Sequence, residues 1–110
     1  MGKIVIVRND KGCVGQYISS RLAYLLQNKC IIINAWEGFP EDIETWASFG
    51  NIKGVILSGS LASVNDSYVW IEDELKFIGR IINQKIPILG ICFGHQLIGK
   101  FFGVVIKRKT

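Results

Sequence analysis

Pro87-Ile88-Leu89-Gly90-Ile91-Cys92-Phe93-Gly94-His95-Gln96 is the stretch on which the fold turns. From Ile86 to Ile91 the chain is a short apolar run, the pattern of a strand buried on both faces. Leu97, Ile98, Phe101 and Phe102 then recur at helical spacing and are expected to point inward, with Gly103 placed to stop the helix. A strand that passes straight into a helix through Gly-x-Cys-x-Gly must turn sharply. Such a turn strains the backbone of its central residue. Side chains two before and two after would collide, so Gly90 and Gly94 are expected there for structural reasons. This is the spacing of a nucleophile elbow, with sulfur in place of the serine oxygen. The following helix would aim its N-terminus at Cys92 and favour a thiolate, and the Phe93 N–H would be free to face an oxyanion. The plainer alternative is a cysteine packed in a core between glycines. The strand–turn–helix context and the place at a carboxyl strand end, where ligands bind in open α/β sheets, favour the elbow.

Outward from this stretch the chain alternates. Lys3 to Val7 reads as a central strand, and Asn9 to Gly12 as a turn. Ile18, Leu22, Leu25 and Leu26 predict a helix from Gln16 to about Lys29. Cys30 to Asn34 is a second strand, and Glu37 to Asp42 a loop rich in breakers. Gly54 to Leu57 is a third strand ending in Ser58-Gly59-Ser60. Asp66 or Ser67 is expected to cap a long helix whose buried stripe is Ile71, Leu75, Ile78 and Ile82. Val104 to Ile106 begins a further strand. The order predicts a parallel sheet covered by helices on both faces, in one domain over 1–110.

Bulk properties narrow the function classes. The 110 residues are nearly half apolar, yet no uninterrupted apolar stretch approaches the ~18 residues a spanning helix needs. Met1-Gly2-Lys3-Ile4 runs directly into a strand, without a signal-peptide layout. Cys13, Cys30 and Cys92 lack metal-ligand spacing, and with one histidine no metal site and no cofactor are expected. A reducing, cytoplasmic setting follows, with no membrane partner. The net charge of +4 is mild, and Lys107-Arg108-Lys109 reads as a solvated terminus rather than a nucleic-acid arm. Gly12-Cys13-Val14-Gly15 lacks the pattern of a phosphate loop. Trp36, Trp46 and Trp70 read as packing residues, not a base-stacking platform.

Gly90-Ile91-Cys92-Phe93-Gly94-His95-Gln96 resembles the signature of class I glutamine amidotransferases, most closely the glutaminase domain of GMP synthase. Ile56-Leu57-Ser58-Gly59-Ser60, with Ser63-Val64, resembles the family's loop after the third strand. The resemblance implies a flavodoxin-like three-layer α/β sandwich with a mostly parallel sheet, truncated after the elbow helix. It implies Cys92 as nucleophile and L-glutamine as substrate, hydrolysed to glutamate and ammonia through a thioester. Ammonia would pass to a synthetase domain or subunit. By the same resemblance, the N–H groups of Phe93 and of the Gly59-Ser60 loop form the oxyanion hole, and Gln96 contacts the bound glutamine.

Two features depart from the family pattern. Serine stands at Ser60 where the family carries glycine, which matters if the position requires a positive φ. The family's catalytic histidine and glutamate lie well downstream of the cysteine. Here the sequence given ends at Thr110, and its single histidine, His95, sits on the elbow helix as a polar-network residue. The isolated chain is therefore expected to be inactive, because the nucleophile–base–orienter set is incomplete. An uncovered sheet edge or face is expected to favour a homo-oligomer.

Other classes share parts of this pattern. One is a non-catalytic fragment or partner-binding half-domain, favoured by the missing histidine and glutamate. The DJ-1/PfpI group carries histidine directly after its cysteine, where Phe93 stands. A receiver needs an aspartate where Ser58 stands, and a flavodoxin needs a hydroxyl-rich loop where Arg8-Asn9-Asp10-Lys11 stands.

Overall fold

The computed structural model describes residues 2–10, 21, 24, 30–43, 51–60 and 66–103. Its strands are β1 (Lys3–Arg8), β2 (Cys30–Asn34), β3 (Ile52–Leu57) and β4 (Ile88–Gly90). They form one sheet in the order β2-β1-β3-β4, with every pairing parallel. A 3-10 turn spans Ala35–Glu37, and two helices follow, α1 (Val69–Asn83) and α2 (Phe93–Phe101). The architecture is the parallel α/β sheet with helices that the alternation predicts, consistent with the flavodoxin-like class that the resemblance implies.

β1 and β2 are short, largely β-branched runs because a parallel strand has a helix layer to bury against. Val5 and Val7 of β1 and Val55 and Leu57 of β3 face α1 and α2. They join Ile71, Phe77, Ile78, Ile81, Phe93 and Leu97 in one core. Ile6 is buried on the opposite face. The expected helix over 16–29 falls largely outside the described residues; its two described positions, Arg21 and Tyr24, are helical. Cys13 with its glycine-rich loop, Trp46, Ser63-Val64 and the expected strand at 104–106 also lie outside them.

Several boundaries differ from expectation for local reasons. β3 starts at Ile52, two residues before the expected Gly54. β4 is three residues long, yet its bonding to β3 continues at both ends. Val55 N–H donates to the Pro87 carbonyl (3.0 Å), and Ile91 N–H donates to the Leu57 carbonyl (2.9 Å). Neither Asp66 nor Ser67 caps α1; Tyr68 holds the cap position, with no side-chain cap bond. The start is held by packing instead, since the Trp70 ring lies 5.8 Å from Phe93 and 5.7 Å from Tyr68.

The buried stripe of α1 is also rotated, to Ile71, Glu74, Phe77, Ile78 and Ile81, with Leu75 and Ile82 at its margin. Phe77 stacks on Phe39 at 4.8 Å, and Arg80 donates to the carbonyls of Pro40 and Glu41 (2.9 and 2.8 Å). These contacts tie the helix to the segment after β2, and Glu74 is buried beside Asn9, the residue that follows β1. In α2 only Phe93, Gly94 and Leu97 are buried. Phe101 and Phe102, expected inward, are exposed: Phe101 crosses α1 at Gly79, where a Cβ would come within 3.0 Å of its ring. Gly103 ends the helix at φ 84°, as expected. Lys85 takes φ 59° in the turn before β4.

Candidate functional site

The site lies at the carboxyl ends of β1, β3 and β4, where Asn9, Ser58-Gly59-Ser60 and Cys92 follow their strands. Cys92 occupies the cap position of α2 with φ 48° and ψ −106°. An L-residue rarely adopts that backbone, so the surroundings must hold it there. Gly94 N–H donates to the Ile91 carbonyl (2.9 Å) and Gln96 N–H to the Cys92 carbonyl (3.0 Å), closing the turn from both sides.

Gly90 and Gly94 make the turn sterically feasible. A Cβ on Gly90 would lie 2.6 Å from the Gly94 carbonyl oxygen and collide with the His95 nitrogen. A Cβ on Gly94 would strike the Leu57 carbonyl and lie 2.6 Å from the Leu57 Cβ. Real Cβ atoms do not approach backbone that closely, so glycine is required at both positions. The result is an exposed, free Cys92 thiol above a buried Phe93. Among the described residues no acceptor bonds the Phe93 N–H, which belongs to the open first turn of α2.

The loop after β3 comes alongside. A Cβ at Gly59 would stand 3.7 Å from the Cys92 Cβ and 3.7 Å from the Ile91 carbonyl oxygen. Ser60 is half-buried and is not among the described residues with positive φ, so a serine fits there without that strain. The structure therefore brings Cys92, Phe93 and Gly59-Ser60 to one corner of the sheet. Gln96 and His95 lie on the exposed surface of α2, one turn on from Cys92. Among the described residues no three His, Cys, Asp or Glu side chains gather as a metal site would require.

Beneath the corner lies a polar cluster absent from the sequence reading. Asn9, Ser58 and Glu74 are the buried polar and charged side chains among the described residues. Asn9 N–H donates to Ser58 Oγ (3.0 Å), and Asn9 Nδ2 donates to the Ser58 carbonyl (2.9 Å). Ser58 Oγ donates in turn to the Gly59 carbonyl (3.2 Å). Burial pushes the Glu74 carboxyl up to about 8, only partly offset by the Asn9 side chain beside it. The signal was present in the sequence: Glu74 sits three residues from Ile71 and seven before Ile81, on the buried stripe of α1.

Nor is any helix among the described residues long and apolar enough to cross a membrane. The profile of the family "Glutamine amidotransferase class-I" matches residues 12–110. Among curated proteins, the chain is similar to the glutamine-hydrolyzing GMP synthase of Wigglesworthia glossinidia brevipalpis, at 38% identity over 80 residues. That match covers 72% of this chain and 13% of the relative. Similarity to the same enzyme of Borreliella burgdorferi is 47% over 60 residues, covering 54% of this chain and 11% of the relative. A subunit of the glutamine-hydrolyzing GMP synthase of Methanococcus vannielii is 30% identical over 105 residues, which cover 96% of this chain and 49% of the relative. The chain thus spans at most about half the length of these relatives. No solved structure matches it at a significant level. On the match over residues 12–110, together with the parallel sheet and its Gly-x-Cys-x-Gly turn, the chain belongs to the class I glutamine amidotransferase family.

Proposed function

We propose that this chain is the nucleophile-bearing part of a glutamine-hydrolysing domain, with Cys92 as its nucleophile. The observation that carries the reading is the Cys92 backbone at φ 48°, which sets an exposed thiol at the mouth of the open first turn of α2. In this reading the Cys92 thiolate attacks the side-chain amide carbon of glutamine. The carbonyl oxygen becomes an oxyanion facing the Phe93 N–H and the Gly59-Ser60 loop. The C–N bond breaks, and the nitrogen takes a proton and leaves as ammonia. A glutamyl thioester remains. Water adds to it, releasing glutamate and restoring the thiol. Gln96 contacts the glutamine from α2.

The relatives named GMP synthase support transfer of the ammonia to a synthetase domain or subunit. The only histidine in the 110 residues is His95, three positions past Cys92 on the same helix and exposed. In this reading the base and its orienting acid, which the resemblance places well downstream of the cysteine, would have to come from polypeptide other than these 110 residues. By themselves these residues form an incomplete domain with little or no turnover.

The test is intact-mass measurement after incubation with a diazo-ketone analogue of glutamine, beside a Cys92→Ser control. One adduct, lost in the control, is expected. Absence of any adduct on folded protein overturns the reading for this chain. It leaves the alternative favoured by the lone exposed histidine, a non-catalytic half-domain that binds a partner.

A further inference from the structure

We propose that Asn9 and Glu74 are positioning residues for the Cys92 site: Asn9 clamps the Ser58-Gly59-Ser60 loop to the end of β1, and Glu74 fixes Asn9 from α1. The inference rests on the reading of Cys92 and the loop given above, and it adds two residues outside the Cys92 turn and the loop after β3.

The geometry begins with a bond pair across 49 residues of sequence. Asn9 donates its backbone N–H to Ser58 Oγ and its side-chain amide to the Ser58 carbonyl, at 3.0 and 2.9 Å. Ser58 N–H is held by the Val7 carbonyl (3.0 Å), and Ser58 Oγ reaches the Gly59 carbonyl (3.2 Å). Ser58 is thus fixed at its N–H, its hydroxyl and its carbonyl. The next residue, Gly59, is the one whose Cβ position lies 3.7 Å from Cys92. A loop pinned at Ser58 has little freedom at Gly59, and a small displacement there moves the amide groups that would face the oxyanion.

Glu74 completes the support. Its side chain is fully buried, and both carboxyl oxygens and the Asn9 Oδ1 lack a hydrogen-bond partner among the described residues. The Asn9 side chain lies beside the Glu74 carboxyl, close enough to interact with it, yet Asn9 Oδ1 still needs a donor that its own carboxamide cannot supply. A carboxylate supplies none, whereas a carboxylic acid supplies one O–H. With burial raising Glu74 to about 8, the acid form prevails at neutral pH. Its O–H then donates into the acceptor-rich corner at Asn9 and holds the carboxamide in the rotamer that reaches Ser58. The neighbour that Glu74 acts on is Asn9, and its effect on the site passes through that residue.

The test compares wild type with Asn9→Ala, Ser58→Ala, Glu74→Leu and Glu74→Gln at one neutral pH. Amide hydrogen exchange reads the loop, and labelling of Cys92 reads the site. Asn9→Ala, Ser58→Ala and Glu74→Leu are expected to lose about tenfold or more of the protection at residues 58–60, with β1 and β3 amides unchanged. Their rate of labelling by the diazo-ketone analogue of glutamine falls by a similar factor. Labelling of the same thiol by iodoacetamide, which needs no oxyanion site, changes less than about threefold. Glu74→Gln, a neutral amide of the same shape, keeps both readings near wild type.

Unchanged protection at residues 58–60 in Asn9→Ala and Glu74→Leu overturns the proposal. So does a Glu74→Gln protein as loose as Glu74→Leu. If wild type takes up iodoacetamide but never the diazo-ketone, the glutamine reading fails by itself. The exchange comparison still decides the clamp in that case. Should one variant not fold, Ser58→Ala and Glu74→Gln test the same contacts with the smallest change in volume.

Discussion

Glu74 is the residue whose chemistry is most at odds with its place. A fully buried carboxyl is held near pKa 8 by burial, against about 4.5 for the free side chain. Below pH 4.5 the folded and unfolded chains both bind its proton. Between about 4.5 and 8 only the folded chain does, so the unfolded form gains relative stability as the pH rises. Glu74 therefore favours folding at low pH, and that contribution is lost through this window at up to about 1.4 kcal/mol per pH unit. Denaturant midpoints at pH 5.5 and 7.5 check it: the wild-type midpoint is expected to drop relative to that of Glu74→Gln, which cannot ionise. Parallel shifts in the two proteins would refute the assignment. Much of the site was legible at the same scale. Gly90, Cys92 and Gly94 could be read because their backbone demands are local to the turn. The place of Glu74 on the buried stripe of α1 could be read from its spacing, but its meeting with Asn9 and Ser58 could not, since Asn9 and Ser58 stand 49 positions apart and no periodicity links them. Ser60 was expected to suffer if its position needed a positive φ; its backbone does not ask for one.

Among elements, the strand-to-helix turn from β4 into α2 is the most constrained. Its two glycines face backbone atoms and the Leu57 Cβ, none of which a rotamer change can move. Gly94→Ala is expected to cost about 3 kcal/mol or more, measured as a denaturation midpoint, because the added carbon meets the Leu57 carbonyl. Gly103→Ala, at the open end of α2, is expected to cost only about 1 kcal/mol: its φ of 84° disfavours a side chain, but nothing lies within 4 Å. Equal losses at the two positions would refute the steric account. β2 could be read to the residue and β1 to within one at its end, because parallel strands announce themselves as β-branched runs. The helix faces were read less well. Periodicity finds the stripe of α1 but not its rotation, which Phe39 and the Arg80 bonds to Pro40 and Glu41 decide from outside the helix. Likewise α2 was expected to bury Phe101 and Phe102, but spacing cannot tell where a helix meets a glycine on its neighbour.

At the scale of the whole molecule, the parallel sheet gathers loops from three strand ends into one corner, which is why Cys92, Gly59 and Asn9 meet although the sequence scatters them. An apolar groove of about 230 Å³ is lined by Ile4, Ile56, Pro87 and Leu89 among others, and neither Cys92 nor the 58–60 loop lines it. It therefore plays no part in the chemistry argued above. The strand order β2-β1-β3-β4 has a further consequence, for the path by which the chain acquires its structure. β1 comes early in the sequence and lies inside the sheet, so it cannot gain both neighbours until β3, ending at Leu57, has been made and brought back to it. Every pairing among the described strands must close a long loop before any contact rewards the closure, and no hairpin occurs among the described residues to start the process. During synthesis β1 waits as an unpaired, β-branched segment, the kind of surface that chaperones bind and that aggregates when crowded.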